Sequence, residues 1–480
     1  MRLFTFACLI LLSAHFAFAQ NKSGPNKVDE LYQQYCAACH GKEFEGGLGG
    51  SLVEGDWKHI GPERSFADYV AQGNLEMGMP AFGQTLNPKQ LHALEIFLIE
   101  KRHKAAHNTR LPPPPDGEVY EAGGYRFTLE TLLDQEQGLD TPWALSFLPD
   151  GHGLITEKSG RLFRLTGKGQ RTEITGIPND IWVKGQGGLL EVAPHPDYDR
   201  NGWVYLGYAA SGKERDDKPH GMTKVVRGRI RNDRWTDTEV LFEAPFAQHR
   251  SSGNHFGTRF VFQDGYLYFS IGDRGAQDQA QDLTRPNGKI HRIHDDGRIP
   301  RDNPFLDQPD ACPSIWTLGN RNPQGLDQHP VTGHIWEAEH GPRGGDEINH
   351  IQRGRNYGWP VVSYGMNYNG TPLTDRTEAP EFESPRHHWT PSIAVCGIDF
   401  YEGDQFPNWK NNLFAGGLAS KELHRLVIED GTVVTDEIIL HGLGRIRDVA
   451  NGPGGTLYLV LNGPNRIVRL MPVNQSEKNE

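Results

Sequence analysis

Apolar positions along the chain change their period once, near residue 120. Before that point they recur every three or four residues. Val28, Leu31, Tyr32 and Tyr35 share one helical face that runs into Cys36. A second helix is predicted to begin at Asn87 as cap with Pro88 in its first turn, carrying Leu91, Leu94 and Leu98 on one side. Residues 24–104 therefore predict a small all-α unit. A polar stretch and the four consecutive prolines 112–115 follow, which hold an extended, semi-rigid form, so residues 105–117 are expected to be a spacer between domains.

Beyond it the period is that of strands, and one theme recurs: an apolar strand, a turn rich in Pro, Asp, Asn or Gly, then another apolar strand. It occurs at 143–155, 190–206, 260–270, 325–336, 397–414 and 449–460. Copies with one grammar and variable insertions predict an all-β six-bladed β-propeller over 118–474. Propellers bind ligands where loops of several blades converge on one mouth of the channel.

Composition agrees with this division. A chain of 480 residues exceeds one usual domain, and 57 Gly with 32 Pro suits short strands and tight turns. The net charge of -12, with no basic block, argues against nucleic acid as a partner. At the N-terminus Arg2 precedes a largely apolar run, 3–18, and Ala17-Phe-Ala19 fits a small-x-small cleavage pattern. Residues 1–19 thus predict a cleaved signal peptide and a periplasmic or secreted protein without stable membrane insertion. The run is short for a bilayer span and is interrupted by Ser13 and His15. Beyond the leader, Cys312 and Cys396 lie outside any motif; a disulfide between them and two buried free thiols are both open.

Cys36-Ala-Ala-Cys-His40 is the spacing at which two thiols add to haem vinyl groups while the adjacent His reaches the iron, so covalent haem c at Cys36 and Cys39 with His40 as ligand is expected. A thioether is the expected second ligand, and Glu76-Met-Gly-Met-Pro-Ala-Phe82 offers Met77 and Met79. The segment resembles the Met-Pro-x-Phe loop of small class I c-type cytochromes, a resemblance that selects Met79 and leaves Met77 to pack against the haem.

Several polar segments fall where a propeller would have its loops. Gly185-Gln-Gly-Gly188 presents Gln186, and Asn254-His-Phe-Gly-Thr-Arg259 sets His255 just before a strand. Gly319-Asn-Arg-Asn-Pro-Gln-Gly325 gathers Arg321 and Asn322, and Arg445-Ile-Arg447 places two guanidinium groups on one strand face. Glu339-His-Gly-Pro-Arg-Gly-Gly-Asp-Glu347 mixes glycines and carboxylates as Ca²⁺ sites do. Together they supply cations for carboxylates, amides for a ring, oxygens for calcium and an imidazole base. That inventory suits an anionic organic cofactor.

These strings, with Asn356-Tyr-Gly-Trp-Pro360, resemble the soluble pyrroloquinoline quinone (PQQ)-dependent sugar dehydrogenases, above all their aldose sugar dehydrogenase branch, over residues 138–470. The resemblance implies His255 as the base for the anomeric hydroxyl and Arg321 as the group polarising the quinone, with Asn322 beside it. It implies Gln186, Tyr368, Arg445 and Arg447 as cofactor contacts. Main-chain oxygens of Gly341 and Pro342 would bind a calcium touching PQQ, and Glu347 with the Tyr357 main chain a structural one. Asp346 is implied near the substrate. The family often carries a lysine where this chain has Ala419, and Lys421 is the nearest substitute. The activity implied is oxidation of an aldose at C1 to a lactone, electrons passing to the haem and on to an external acceptor of the respiratory chain. A calcium-dependent propeller lactonase, or a non-catalytic propeller that docks a cytochrome, would share much of this scaffold but would not need the arginine cradle. Substrate identity and oligomeric state are not encoded in any motif.

Overall fold

The computed structural model describes residues 27–55, 57, 65–107, 119–215 and 217–473. The predicted leader and the proline run lie outside the described residues. No helix among them is long and apolar enough to cross a membrane.

The N-terminal unit contains helices α1 (Val28–Tyr35), α2 (Ala37–His40), α3 (Phe66–Gln72) and α4 (Pro88–His107). Val28, Leu31 and Tyr32 are buried with Leu91, Leu94 and Leu98, so the predicted faces of α1 and α4 meet in one core. The start of α4 is a reciprocal cap: Asn87 N–H donates to Gln90 Oε1, and Gln90 N–H donates to Asn87 Oδ1, both at 3.0 Å. The helix runs on through residues 105–107, expected to be spacer. Charged and alanine residues there are good helix formers, and nothing before the prolines stops the turn.

Each of the six repeats forms the first two strands of a blade. Among the described residues the strands make six antiparallel sheets, five of them four-stranded in simple chain order. The first strands are Pro142–Phe147, Leu189–Pro194, Phe260–Gln263, Pro323–Gln328, Val395–Phe400 and Arg445–Gly452. Each packs against the next around a closed ring and so lines the channel. The sixth sheet is completed by Tyr125–Asp134, which pairs with Arg466–Pro472 in the register Phe127↔Pro472 to Asp134↔Arg466. An N-terminal strand thus covers the edge that the last blade would otherwise expose. The repeats give no hint of this closure, because Tyr125–Asp134 lies outside them.

Carboxylates stitch neighbouring blades. Asp448 Oδ2 accepts Leu145 N–H at 3.0 Å, Asp327 Oδ2 accepts Phe400 N–H at 2.7 Å, and Asp399 Oδ2 accepts Asn451 N–H at 2.8 Å. The channel itself is crossed by Arg259 of the third blade. Its guanidinium pairs with Glu191 of the second at 3.1 Å and Asp448 of the sixth at 3.0 Å. It also donates to the carbonyls of Gln324 at 2.7 Å and Arg447 at 3.2 Å.

The two units touch through the fourth blade. Met366, from a loop of that blade, is 0% exposed and belongs to the core of the helical unit. Val28 N–H donates to Gly370 O at 2.9 Å, and Arg343 pairs with Glu100 of α4.

Replacing Arg259 by Ala strands two carboxylates in a dry channel. Loss of one partner of a buried charge network costs about 3–5 kcal/mol. The urea midpoint of Arg259→Ala should fall accordingly with its slope unchanged; an unchanged midpoint would show that the channel does not rely on this group.

Candidate active site and haem centre

Burial and main-chain geometry fix the candidate base. His255 lies in the loop that leads into Phe260–Gln263, a little further ahead of that strand than the sequence suggested, and its φ of 52° is a left-handed conformation uncommon for a side chain of this size. Its N–H donates to Gln186 Oε1 at 2.8 Å, so the oxygen of Gln186 holds the base's backbone. The loop presses on Gly272, where a Cβ would meet His255 O at 2.6 Å and Asn322 Oδ1 at 2.8 Å. Only glycine allows that approach.

His255 Nδ1–H donates to Asp273 Oδ1 at 2.6 Å. Asp273 is in turn held by Trp359 Nε1–H at 2.9 Å on its other oxygen and by Gly275 N–H at 2.7 Å. This fixes the imidazole tautomer and leaves Nε2 as the basic nitrogen. Burial holds His255 below its ordinary pKa; the hydrogen bond to Asp273 opposes that fall and the Arg321 charge adds to it. Burial would raise the Asp273 carboxyl, but the hydrogen bond and charge of His255, with Arg321, bring it below its ordinary value. Asp273 and Trp359 escaped residue-by-residue reading. The signal was an acid placed directly after the apolar strand Tyr266–Ile271, in Gly272-Asp-Arg-Gly275.

Arginines surround this dyad. Arg321 is buried, donates from Nη1 to His340 O at 2.6 Å, and lies 5.3 Å from the Trp359 ring centroid and 5.6 Å from that of Tyr368. Its Nε is buried with no hydrogen-bond partner. Arg447 is also buried, stacked 3.9 Å from the Trp143 centroid, with Asn462 Oδ1 at 3.3 Å and Cys396 Sγ at 3.4 Å as acceptors. Burial and the neighbouring Arg445 and Arg259 charges hold its pKa below the usual guanidinium range. Among the described residues neither Arg321 nor Arg447 has a carboxylate at ion-pairing distance. Arg445 is exposed whereas Arg447 is buried, and the strand that carries them has a register shift between Ile446 and Asp448. His340 is pushed down to about 3 by burial and by Arg321, His255, Arg447 and Arg445, which shows how densely these cations crowd one place.

The remaining predicted residues fall around them. Asn322 Oδ1 accepts Gly257 N–H at 3.3 Å and Gln324 Nε2–H at 3.2 Å, joining the third and fourth blades. Tyr368 is 60% exposed and donates to Gly341 O at 3.2 Å. Pro342 O accepts both Ser392 Oγ–H at 2.9 Å and Gly345 N–H at 3.1 Å, so its lone pairs are taken, whereas Gly341 O has one donor. Asp346, expected beside the substrate, is wholly buried; its oxygens accept Gly341 N–H at 3.0 Å and Val395 N–H at 2.8 Å, making it a clamp of the turn. Glu347 stands opposite Glu339 across two strands, and burial with the Glu339 charge raises its carboxyl well above normal. Close by, Glu337 Oε1 and Asn349 Oδ1 are buried acceptors without donors. Tyr357 is buried, its main-chain N–H donating to Leu318 O at 2.9 Å. Among the described residues no three His, Cys, Asp or Glu side chains gather closely enough to hold a metal, so a cation here would also draw on amide or main-chain oxygens. Lys421 is exposed in a turn, while Arg445 Nη1 reaches Leu418 O, next to Ala419, at 3.4 Å. Cys312 and Cys396 are both free, and Cys312 is only half-buried.

In the helical unit, His40 Nδ1–H donates to Gly50 O at 2.8 Å, which orients Nε2 as an iron ligand requires. Met79 packs against the core, its N–H bonded to Asn74 O at 2.9 Å, while Met77 is 60% exposed. Met77 closes the short helix Leu75–Met77.

Residues 139–469 match the family described as glucose/sorbosone dehydrogenase, and residues 24–98 match that described as cytochrome c oxidase, cbb3-type, subunit III. The aldose sugar dehydrogenase YliI of Escherichia coli is 41% identical over 72% of this chain and 93% of its own length. The crystal structure of the soluble aldose sugar dehydrogenase of E. coli in its apo-form superposes with a TM-score of 0.67 at 38% identity, covering 72% of this chain and 100% of that one. The PQQ-bound aldose sugar dehydrogenase of Streptomyces coelicolor gives 0.58 at 26% identity over 75% and 99%. The chain belongs to the glucose/sorbosone dehydrogenase family of oxidoreductases and carries a c-type cytochrome domain fused ahead of its propeller.

Proposed function

We propose that this protein oxidises aldose sugars at C1 to lactones outside the cytoplasm with PQQ as its bound oxidant, its own haem c serving as the first electron acceptor before an external one. The observation that supports this most is the placing of two buried guanidinium groups without carboxylate partners beside a histidine–aspartate base. A buried unpaired cation is costly, and an anionic ligand relieves that cost. The unpartnered Nε of Arg321 is one donor such a ligand would meet.

When bound, the quinone supplies an acceptor for two electrons. The chain's own residues do the rest. His255 Nε2 takes the proton of the anomeric hydroxyl, and Asp273 stabilises the imidazolium that forms. Arg321 and Arg447 hold negative charge, Tyr368 and Trp359 flank Arg321, and Gln186 keeps the base's backbone in place. Arg445, bonded beside Ala419, takes the place of the family's lysine in preference to Lys421. For calcium, Gly341 O is better placed than Pro342 O, and Glu347, with the unpartnered oxygens of Glu337 and Asn349 and the Tyr357 main chain, suits a second ion. The S. coelicolor relative's PQQ-bound form supports the cofactor, and the names of the relatives support an aldose substrate.

With the protein loaded with PQQ and calcium, and a one-electron dye as acceptor, His255→Ala should bind the quinone but lose about 10²–10⁴-fold in sugar oxidation. A full rate in that variant would remove His255 as the base. In Asp273→Asn the influence that raises the His255 pKa is gone. The base then protonates at lower pH, and the acid limb of kcat/KM moves down; a limb that stays put would mean Asp273 does not act on the base. For the haem, Met79→Ala should change the visible spectrum and lower the reduction potential, since thioether ligation raises it, while Met77→Ala should alter neither.

A further inference from the structure

The contact between the helical unit and the propeller falls on the loops that wall the candidate site. Along α4, Lys89, His92, Ile96 and Glu100 are spaced by three or four residues and so form one stripe. All four meet the fourth blade. Lys89 Nζ–H donates to Leu373 O at 3.3 Å, and His92 Nε2–H donates to Ser363 O at 3.3 Å. Ile96 sits over Gly344, where a Cβ would come within 2.6 Å of its Cγ2. Glu100 receives the Arg343 guanidinium on both oxygens, from Nε at 2.9 and 3.0 Å and from Nη2 at 2.5 Å.

Arg343 lies in the turn that follows Gly341 and Pro342, and its main chain exchanges two hydrogen bonds with Met366, at 2.9 and 3.0 Å. Met366 is the side chain that enters the helical core, and Tyr368, two residues on, reaches Gly341 O and Arg321. One loop is therefore dock and site wall together. The forked, partly buried Glu100–Arg343 pair joins the turn beside that loop to α4, and among the described residues it is the ion pair between the two units.

We infer that Glu100 and Arg343 form a latch that seats the haem domain on the site wall, so that transfer to the haem proceeds from a docked arrangement and not from a domain roaming on its tether. This rests on the dehydrogenase reading above. In the overall balance each aldose gives up two electrons and two protons in becoming a lactone. The electrons leave singly as ferric haem becomes ferrous twice, an external one-electron oxidant restores the ferric state each time, and the protons go to water. The latch sets the rate of the haem step alone.

The test uses the full chain carrying haem, PQQ and calcium. Glu100→Arg should slow haem reduction after addition of an aldose by about tenfold, the effect of a 1.4 kcal/mol loss of docking. Sugar oxidation read with a dye that bypasses the haem should hold within about twofold, since the substitution is remote from the base. Hydrogen exchange of residues 88–103 and 363–373, which needs no quinone, should rise in the same variant. Combining Glu100→Arg with Arg343→Glu should restore both. Unchanged haem reduction and exchange in Glu100→Arg would overturn the latch, as would a parallel fall of the dye-coupled rate. A wild-type protein that reduces neither dye nor haem would instead overturn the dehydrogenase reading, and the exchange comparison would then decide the latch by itself.

Discussion

A guanidinium at the centre of the channel holds the propeller in register. Arg259 reaches Glu191, Asp448, Gln324 and the Arg447 carbonyl, so four of the six blades meet on one side chain. Burial works against its charge, and the two carboxylates more than compensate, lifting its pKa above the usual range. Everything at the mouth is built on this floor. Arg447 leaves the strand beside Asp448, Gln324 meets Asn322, and the His255 loop runs directly into Arg259. Of three cations crowded here, Arg259 is neutralised by protein and Arg321 and Arg447 are not. That asymmetry is what the proposed anionic cofactor would answer.

The same economy of connections places the second domain. The fourth blade spends its longest insertion, between Ile351 and His387, on a loop that supplies Trp359 and Tyr368 to the site and Met366 to the helical core. A domain held by buried apolar contact, main-chain hydrogen bonds and one forked ion pair is more than tethered. The contacts with the fourth blade give the helical unit a defined seat, which a spacer alone would not.

Much of this was legible in the chain. The six strand–turn–strand repeats correspond one for one to the first two strands of the blades, because each joins two short strands by a tight turn whose residues are legible locally. The faces of α1 and α4, the cap at Asn87 and the c-type cytochrome character of the N-terminal unit were visible as local grammar. What escaped depends on distance in sequence. Asp273 is separated from His255 by two strands, Trp359 from Asp273 by five, and the strand Tyr125–Asp134 from its partner Arg466–Pro472 by the rest of the propeller. Strand alternation put Arg445 and Arg447 on one face, but it carried no sign that one is exposed and the other buried. Nothing local marks the stripe on α4, because its partners lie 243 to 284 residues away in the chain.

In the proposed reaction, electrons from a sugar oxidised in the propeller reach the haem of the same chain. The direct measurement is an anaerobic one, with aldose added to dilute PQQ- and calcium-loaded protein and no external acceptor, while the haem spectrum is followed. Reduction of the haem that requires PQQ, and whose rate constant does not depend on protein concentration, is the predicted result. A protein that oxidises the sugar with a dye while its haem stays ferric would contradict the claim.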